Sequence, residues 1–84
     1  MKEIEKTIVF VIDDDPSVRK AISHLLRSEG YEVEAFESAG SFLKRKRYLG
    51  LGCIVLDISM KDMSGLELQE ELIKKHSELP IVFV

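Results

Sequence analysis

Three aspartates stand at the ends of two apolar segments. Asp13 and Asp14 follow "IVFVI" (8–12), and Asp57 follows "CIVL" (53–56). If these segments are adjacent strands of a parallel sheet, their carboxylates meet at the edge where such sheets bind ligands. Like charges about 4 Å apart repel by roughly 4 kcal/mol at an effective dielectric of 20. The cluster must therefore take up protons or a cation, and Mg²⁺ suits carboxylate oxygens.

A carboxylate beside a divalent cation can attack phosphorus, so Asp57 is a candidate nucleophile. The competing interpretation is that acids after strands only form turns or helix caps, and this interpretation suits Asp15 best. Asp13 and Asp15 also have the D-x-D spacing of aspartate-nucleophile phosphatases. Pro16 and Ser17 stand where that family has Gly-Thr, which disfavours the phosphatase alternative.

The elements that position these acids alternate between strand and helix. The continuous apolar runs at 7–12 and 53–56 are typical of strands covered on both faces. Asp15 as N-cap and Pro16 at the first helical position predict a helix that ends at Gly30. Its apolar stripe follows helical spacing and comprises Val18, Ala21, Ile22, Leu25 and Leu26.

The rest of the chain continues the alternation. "YEVEAF" (31–36) predicts a half-exposed strand at a sheet edge, and Ser38 a cap for a short helix ending near Gly50. Ser64 and Glu67 form a capping box for a helix to about His76, and "IVFV" (81–84) predicts a last strand. Four strands and three helices in this order predict an α/β domain with a parallel sheet.

Composition restricts the class of protein further. The 84 residues, with 45% hydrophobic content and a net charge of -3, indicate one small soluble domain. No run is long enough to span a membrane, and the single Cys53 within an apolar run favours a core position in a cytoplasmic protein. We interpret "KRKR" (44–47) as a solvated helix face rather than a nucleic-acid site, and His24 and His76 as surface residues.

The segments "VIDDDPSVR", "YEVEAFESA" and "CIVLDISMKDMSGLELQEEL" resemble the receiver domain of two-component response regulators, most nearly the FixJ-like branch. The resemblance covers essentially the whole chain, residues 1–84, as one receiver domain. It implies a flavodoxin-like (CheY-like) doubly wound sheet with the strand order 2-1-3-4-5 that receiver proteins share.

The resemblance also implies the roles of the site residues. Asp57 would accept a phosphoryl group from the phosphohistidine of a sensor histidine kinase, so the domain would be a phosphoacceptor and not a turnover enzyme. Mg²⁺ would be bound by Asp14 directly, by Asp13 largely through water, by Asp57 and by the backbone carbonyl of Ser59. The family's usual proline after Met60 is replaced by Lys61.

The sequence stops after the fourth predicted strand, whereas the family continues to a Ser or Thr, a Lys and a last βα unit. The resemblance therefore implies an incomplete fold and weakened phosphotransfer. The open edge of the fourth strand predicts a homodimer, through that edge or by exchange of elements. The alternative function is a dimerising interaction module without phosphotransfer.

Overall fold

Four parallel strands form one sheet in the computed structural model, which describes residues 7–46, 48, 50–57, 67–68, 70–71 and 79–84. The strand order is β2-β1-β3-β4, and all three pairings are parallel. The predicted parallel α/β architecture and the edge position of the second strand are therefore confirmed. The strand bounds are β1 Ile8–Ile12, β2 Glu32–Phe36, β3 Gly52–Leu56 and β4 Ile81–Phe83.

The central strand β1 is apolar throughout because both of its faces are covered. On one face, Val9 and Val11 pack with Val33 beneath the helix that follows β1. On the other face, Phe10 and Ile12 lie in the larger core cluster. The remaining members of that cluster are Ala39, Phe42, Ile54, Leu56 and Leu68. This two-sided burial explains why β1 and β3 lack the alternation seen in β2.

Helix α1, Pro16–Ser28, begins and ends as its sequence predicts. The Asp15 carboxylate accepts hydrogen bonds from the backbone N–H groups of Ser17 (2.8 Å) and Val18 (3.3 Å). These bonds satisfy donors that the first turn would otherwise leave unpaired. Gly30 follows with φ of 96°, the left-handed conformation that glycine adopts without a steric penalty.

Helix α2, Ala39–Leu43, is shorter than predicted. Ser38 caps it through a hydrogen bond from the Ser41 N–H (3.0 Å), as expected, but the helix ends at Leu43 rather than near Gly50. The side chain of Arg45 turns back to pair with Glu34 on β2 and lies 5.1 Å from the centroid of the Phe10 ring. The prediction that 44–47 is a solvated helix face is thus wrong for Arg45, because its guanidinium contacts Glu34 and the Phe10 ring.

The described part of the third helix comprises Glu67, Leu68, Glu70 and Glu71. Leu68 is fully buried in the larger core cluster, so this helix covers the same sheet face as α2. Ser64 of the predicted capping box and His76 lie outside the described residues.

Strand β3 begins with a glycine that the neighbouring strand requires. A Cβ atom at Gly52 would clash with the backbone carbonyl oxygen of Ile8. Cys53 follows, half-buried against the α1 side of the sheet. Burial raises the pKa of its thiol, which disfavours the reactive thiolate and agrees with a packing role.

Among the described residues, no helix combines the length and the apolar character that crossing a membrane requires.

Candidate functional site

The carboxyl ends of β1 and β3 bring the three predicted aspartates together. The backbone N–H of Asp57 donates to the carbonyl of Ile12 (3.1 Å), which continues the β1–β3 ladder one residue beyond the strands. One carboxylate oxygen from each of Asp13, Asp14 and Asp57 lies within 4.8 Å of the other two. The convergence inferred from two separate sequence segments is therefore present in the fold.

Asp13 is the most enclosed of the three, with 3% of its surface exposed. Its backbone N–H donates to the carbonyl of Phe36 on β2 (3.1 Å), and its Oδ1 accepts from the N–H of Asp15 (2.9 Å). Asp14 is exposed and Asp57 is half-buried. The cluster is thus open on the side of Asp14 and closed beneath Asp13.

Arg19 also contributes to this end of the sheet, although no sequence motif singles it out. Its Nη1 donates to the backbone carbonyl of Asp13 (2.8 Å), which holds α1 against the end of β1. Arg19 lies one turn after the Asp15 cap, but no local sequence rule predicts that its side chain contacts the Asp13 carbonyl.

Burial raises the pKa of the Asp13 carboxyl above its ordinary value. The hydrogen bond from Asp15 acts in the opposite direction, and the negative charges of Asp57 and Asp14 add to the rise. The ionised cluster is therefore destabilised by desolvation and by repulsion. A bound cation would relieve both effects, and this is the physical reason to consider a metal site here.

The three carboxylates form an acidic pocket that could hold a small divalent cation. Octahedral Mg²⁺ with oxygens at about 2.1 Å separates its ligand atoms by about 3 to 4.2 Å. The observed limit of 4.8 Å is wider, so the carboxylates would have to move closer together to bind such an ion directly. Ser59, whose carbonyl the resemblance adds as a ligand, lies outside the described residues.

Asp15 serves as the cap of α1, where its carboxylate accepts from Ser17 and Val18. A D-x-D phosphatase would need this second carboxylate as a general acid over the nucleophile. The cap role therefore disfavours the phosphatase alternative and supports the turn-and-cap interpretation of Asp15.

Comparison with known proteins identifies the family. Residues 9–84 match the model of the response regulator receiver domain. The chain is 39% identical over 80 residues to the response regulator protein TmoT of Ectopseudomonas mendocina, covering 95% of this chain and 36% of that protein. It is 41% identical over 78 residues to the transcriptional regulatory protein FixJ of Azorhizobium caulinodans, covering 93% of this chain and 37% of that protein.

The fold agrees with this match. The structure of the response regulator StyR superposes with a TM-score of 0.86 and 52% identity, covering 94% of this chain and 40% of that one. The chain belongs to the response regulator receiver domain family of two-component systems, and the similarity to the FixJ branch is confirmed. It spans about a third of the length of the curated relatives it matches.

Proposed function

We propose that this receiver domain accepts a phosphoryl group on Asp57 from the phosphohistidine of a sensor histidine kinase. In this proposal, Asp13, Asp14 and Asp57 bind Mg²⁺ together with the carbonyl of Ser59. The observation that carries the proposal is the convergence of three carboxylate oxygens within 4.8 Å in a member of this family.

The chemistry requires one oxygen of Asp57 to attack phosphorus in line with the phosphorus–nitrogen bond of the donor. That bond breaks, its electron pair returns to the imidazole, and the product is an acyl phosphate on Asp57. The bound ion would neutralise charge on the transferring oxygens. Asp13, fixed by its hydrogen bond from Asp15, would keep the ion close to the attacking oxygen.

The same reasoning makes the domain a phosphoacceptor that is consumed in each event, not a turnover enzyme. By analogy with FixJ, whose name describes a transcriptional regulatory protein, we propose that phosphorylation controls transcription. We also propose a cytoplasmic location, since the domain must meet the phosphohistidine of its kinase.

The experiment is to incubate the protein with acetyl phosphate and Mg²⁺ and to measure its intact mass. We expect the addition of one phosphoryl group, which is lost in Asp57→Asn. Asp15→Asn is the matched control, because it removes a nearby carboxylate but keeps the oxygen that caps α1. This control should be phosphorylated as the unmodified protein is.

Absence of the adduct at saturating donor would contradict the proposal. The protein would then be better described by the alternative function, an interaction module without phosphotransfer. That outcome would also remove the reason for assigning a catalytic role to the metal.

We further propose that the domain forms a homodimer through the β4 edge of the sheet or by exchange of elements. The support is the exposure of three consecutive apolar residues, two on the outermost strand of the described sheet and one directly after it. They are 48%, 48% and 56% exposed, respectively, and comprise Val82, Phe83 and Val84. Apolar edge strands readily pair with a second chain.

A further inference from the structure

A groove between α1 and the outer edge of β2 contains a concentration of positive charge. Its cavity volume is about 390 Å³, and it lies on the sheet face occupied by α1. The described residues that line it are Pro16, Arg19, Lys20, Ser23, His24, Arg27 and Ala35. Three of these side chains carry a permanent positive charge, one is a histidine and none is acidic.

Helical spacing arranges the polar residues of the groove in a line. Arg19, Ser23 and Arg27 are four residues apart and share one face of α1, so the two arginines lie about 12 Å apart along the helix axis. Lys20 and His24 form a second row beside the first. The groove therefore presents cations along its length rather than at one point.

Backbone hydrogen bonds hold both arginines in place. Arg19 Nη1 donates to the carbonyl of Asp13 (2.8 Å), and Arg27 Nη2 donates to the carbonyl of Val33 (3.4 Å). A guanidinium has five N–H donors, so each arginine keeps others after its backbone bond is made. Tethered guanidiniums lose little side-chain entropy when an anion binds.

Ser23, at the centre of the line, is an unusual residue to find buried. Only 3% of its surface is exposed, and its Oγ has no hydrogen-bond partner among the described residues. An unsatisfied buried hydroxyl costs about 1–3 kcal/mol, and buried polar groups are normally paired. Ser23 lines the groove, but its Oγ lies beneath the groove surface, so a ligand would bond this hydroxyl only after a movement of the side chain or of α1.

The geometry points to a binding site for a small organic phosphate in this groove. Arginine forks match the oxygens of a phosphate group, and Lys20 adds a further cation. The cavity exceeds the size of a phosphate group alone, so the organic part would lie against Pro16 and Ala35. This site lies on the α1 face of the sheet and uses none of the three clustered aspartates.

The test is a ¹⁵N NMR titration in EDTA with inorganic phosphate, pyrophosphate and adenosine 5′-monophosphate as probes. EDTA removes Mg²⁺, so the acidic cluster should repel these anions and its amides should not respond. We expect saturable changes in the amide chemical shifts of α1 and Ala35. These changes should be largest with adenosine 5′-monophosphate. If inorganic phosphate binds as tightly as adenosine 5′-monophosphate, the proposed contact of an organic part with Pro16 and Ala35 is wrong.

Charge variants separate the groove from a general charge effect. Lys20→Gln/Arg27→Gln should weaken binding by about tenfold or more, because it removes two groove cations. Lys44→Gln/Lys46→Gln removes two positive charges from the exposed end of α2 and should leave the affinity unchanged. Should the first variant fail to fold, Lys20→Gln alone replaces only an exposed side chain and should still weaken binding by about threefold.

Three results would overturn the assignment. They are an absence of saturable amide chemical-shift changes with any of the three phosphates, equal weakening of binding in the two double variants, and shift changes confined to residues outside the groove. Because the titration is run without Mg²⁺ and can be repeated with Asp57→Asn, its outcome is independent of whether Asp57 is phosphorylated.

Discussion

The central feature at the residue scale is that the fold gathers negative charge instead of dispersing it. Asp13 is buried beside Asp57 and Asp14, and its pKa is raised mainly by burial. An acid whose pKa is raised by folding stabilises the native state only while it is protonated. That stabilisation is lost as the pH rises through the raised pKa. At neutral pH the ionised cluster therefore lowers the free energy of unfolding until a cation binds.

Asp13→Asn should accordingly stabilise the protein at pH 7 in EDTA, on the order of 1 kcal/mol. Asparagine keeps the Oδ1 acceptor for the Asp15 N–H while it removes the charge. The gain should vanish at low pH, where Asp13 is already neutral. Urea denaturation across pH, with and without Mg²⁺, measures both effects.

The same variant should lose most of the stabilisation that Mg²⁺ gives the unmodified protein. Asp15→Asn serves as the control, because Asp15 is the N-cap of α1. This variant should retain the stabilisation by Mg²⁺. An equal response to Mg²⁺ in Asp13→Asn and the unmodified protein would contradict a metal site at Asp13.

Residue roles that depend on local spacing were predictable from the sequence. Rules that operate within one helical turn predict where α1 begins and ends, and the structure follows them. The residues concerned are Asp15, Pro16 and Gly30. The partnership of Asp57 with Asp13 required the additional step of placing two strands side by side. The contact of Arg19 with the Asp13 carbonyl had no such rule and emerged only from the packing of α1.

At the scale of elements, an ion pair connects β2 to the end of α2. Arg45 donates to both carboxylate oxygens of Glu34, and its guanidinium also lies 5.7 Å from the centroid of the Tyr48 ring. The hydrogen bond from Arg45 is the largest cause of the lowered pKa of Glu34. Desolvation is the next largest effect and acts in the opposite direction, raising the pKa. The side chains of Arg45 and Glu34 are 25% and 34% exposed, so solvent screening moderates the interaction.

Glu34→Gln should therefore lower the free energy of unfolding at pH 7 by about 0.5–1 kcal/mol. An acid with a lowered folded-state pKa stabilises the protein above its unfolded pKa, and that contribution is lost as the pH falls through the folded value. The difference between variant and unmodified protein should thus shrink in acid. Chemical denaturation at several pH values provides the measurement.

Glu37→Gln is the control, since Glu37 is exposed just after β2. We expect little change in stability for this variant. A loss in Glu34→Gln that stays constant at every pH would show that packing, and not the ion pair, links the two elements.

The end of α2 shows why element boundaries are harder to predict than their order. The sequence predicts a short helix that Ser38 caps and that ends near Gly50. In the structure Lys44 caps the helix after Leu43, and Arg45 is drawn to Glu34 eleven residues earlier in the chain. A local pattern contains no information about a partner that far away.

At the scale of the whole molecule, the apolar side chains among the described residues differ in how fully they are buried. Phe10, Ile12 and Ile54 are fully buried on the α2 side. On the α1 side, Cys53 and Val55 are only partly buried, and Leu25 is 63% exposed. The proposed homodimer would cover the exposed apolar side chains at the β4 edge.

A homodimer through β4 should appear in sedimentation at micromolar concentration as a species of about twice 9.6 kDa. Val82→Lys should shift it to the monomer, because a charge on an edge strand opposes pairing. Leu51→Lys makes the same chemical change at an exposed position before β3 and should remain dimeric. A 9.6 kDa monomer that unfolds cooperatively would contradict the proposed dimer.

The architecture of the whole molecule was the most predictable level. Parallel pairing follows from apolar runs that alternate with helical stripes, whereas the strand order was implied only by the resemblance to receiver domains. The convergence of the acids follows once the first and third strands are placed side by side. The sequence does not predict the basic groove, because its members come from one side of α1, which includes the buried Ser23, and from one residue of β2, Ala35. Only the approach of those two elements gives the charges a common cavity.

The glycine at the start of β3 determines how closely two strands, and hence two carboxylates, can approach. A methyl group at position 52 would overlap the Ile8 carbonyl, so any other residue there must push β3 away from β1. Asp57 lies five positions farther along the same strand direction and would move with it. The spacing of the clustered carboxylates thus depends on a glycine, which has only a hydrogen atom as its side chain, at the opposite end of the strand.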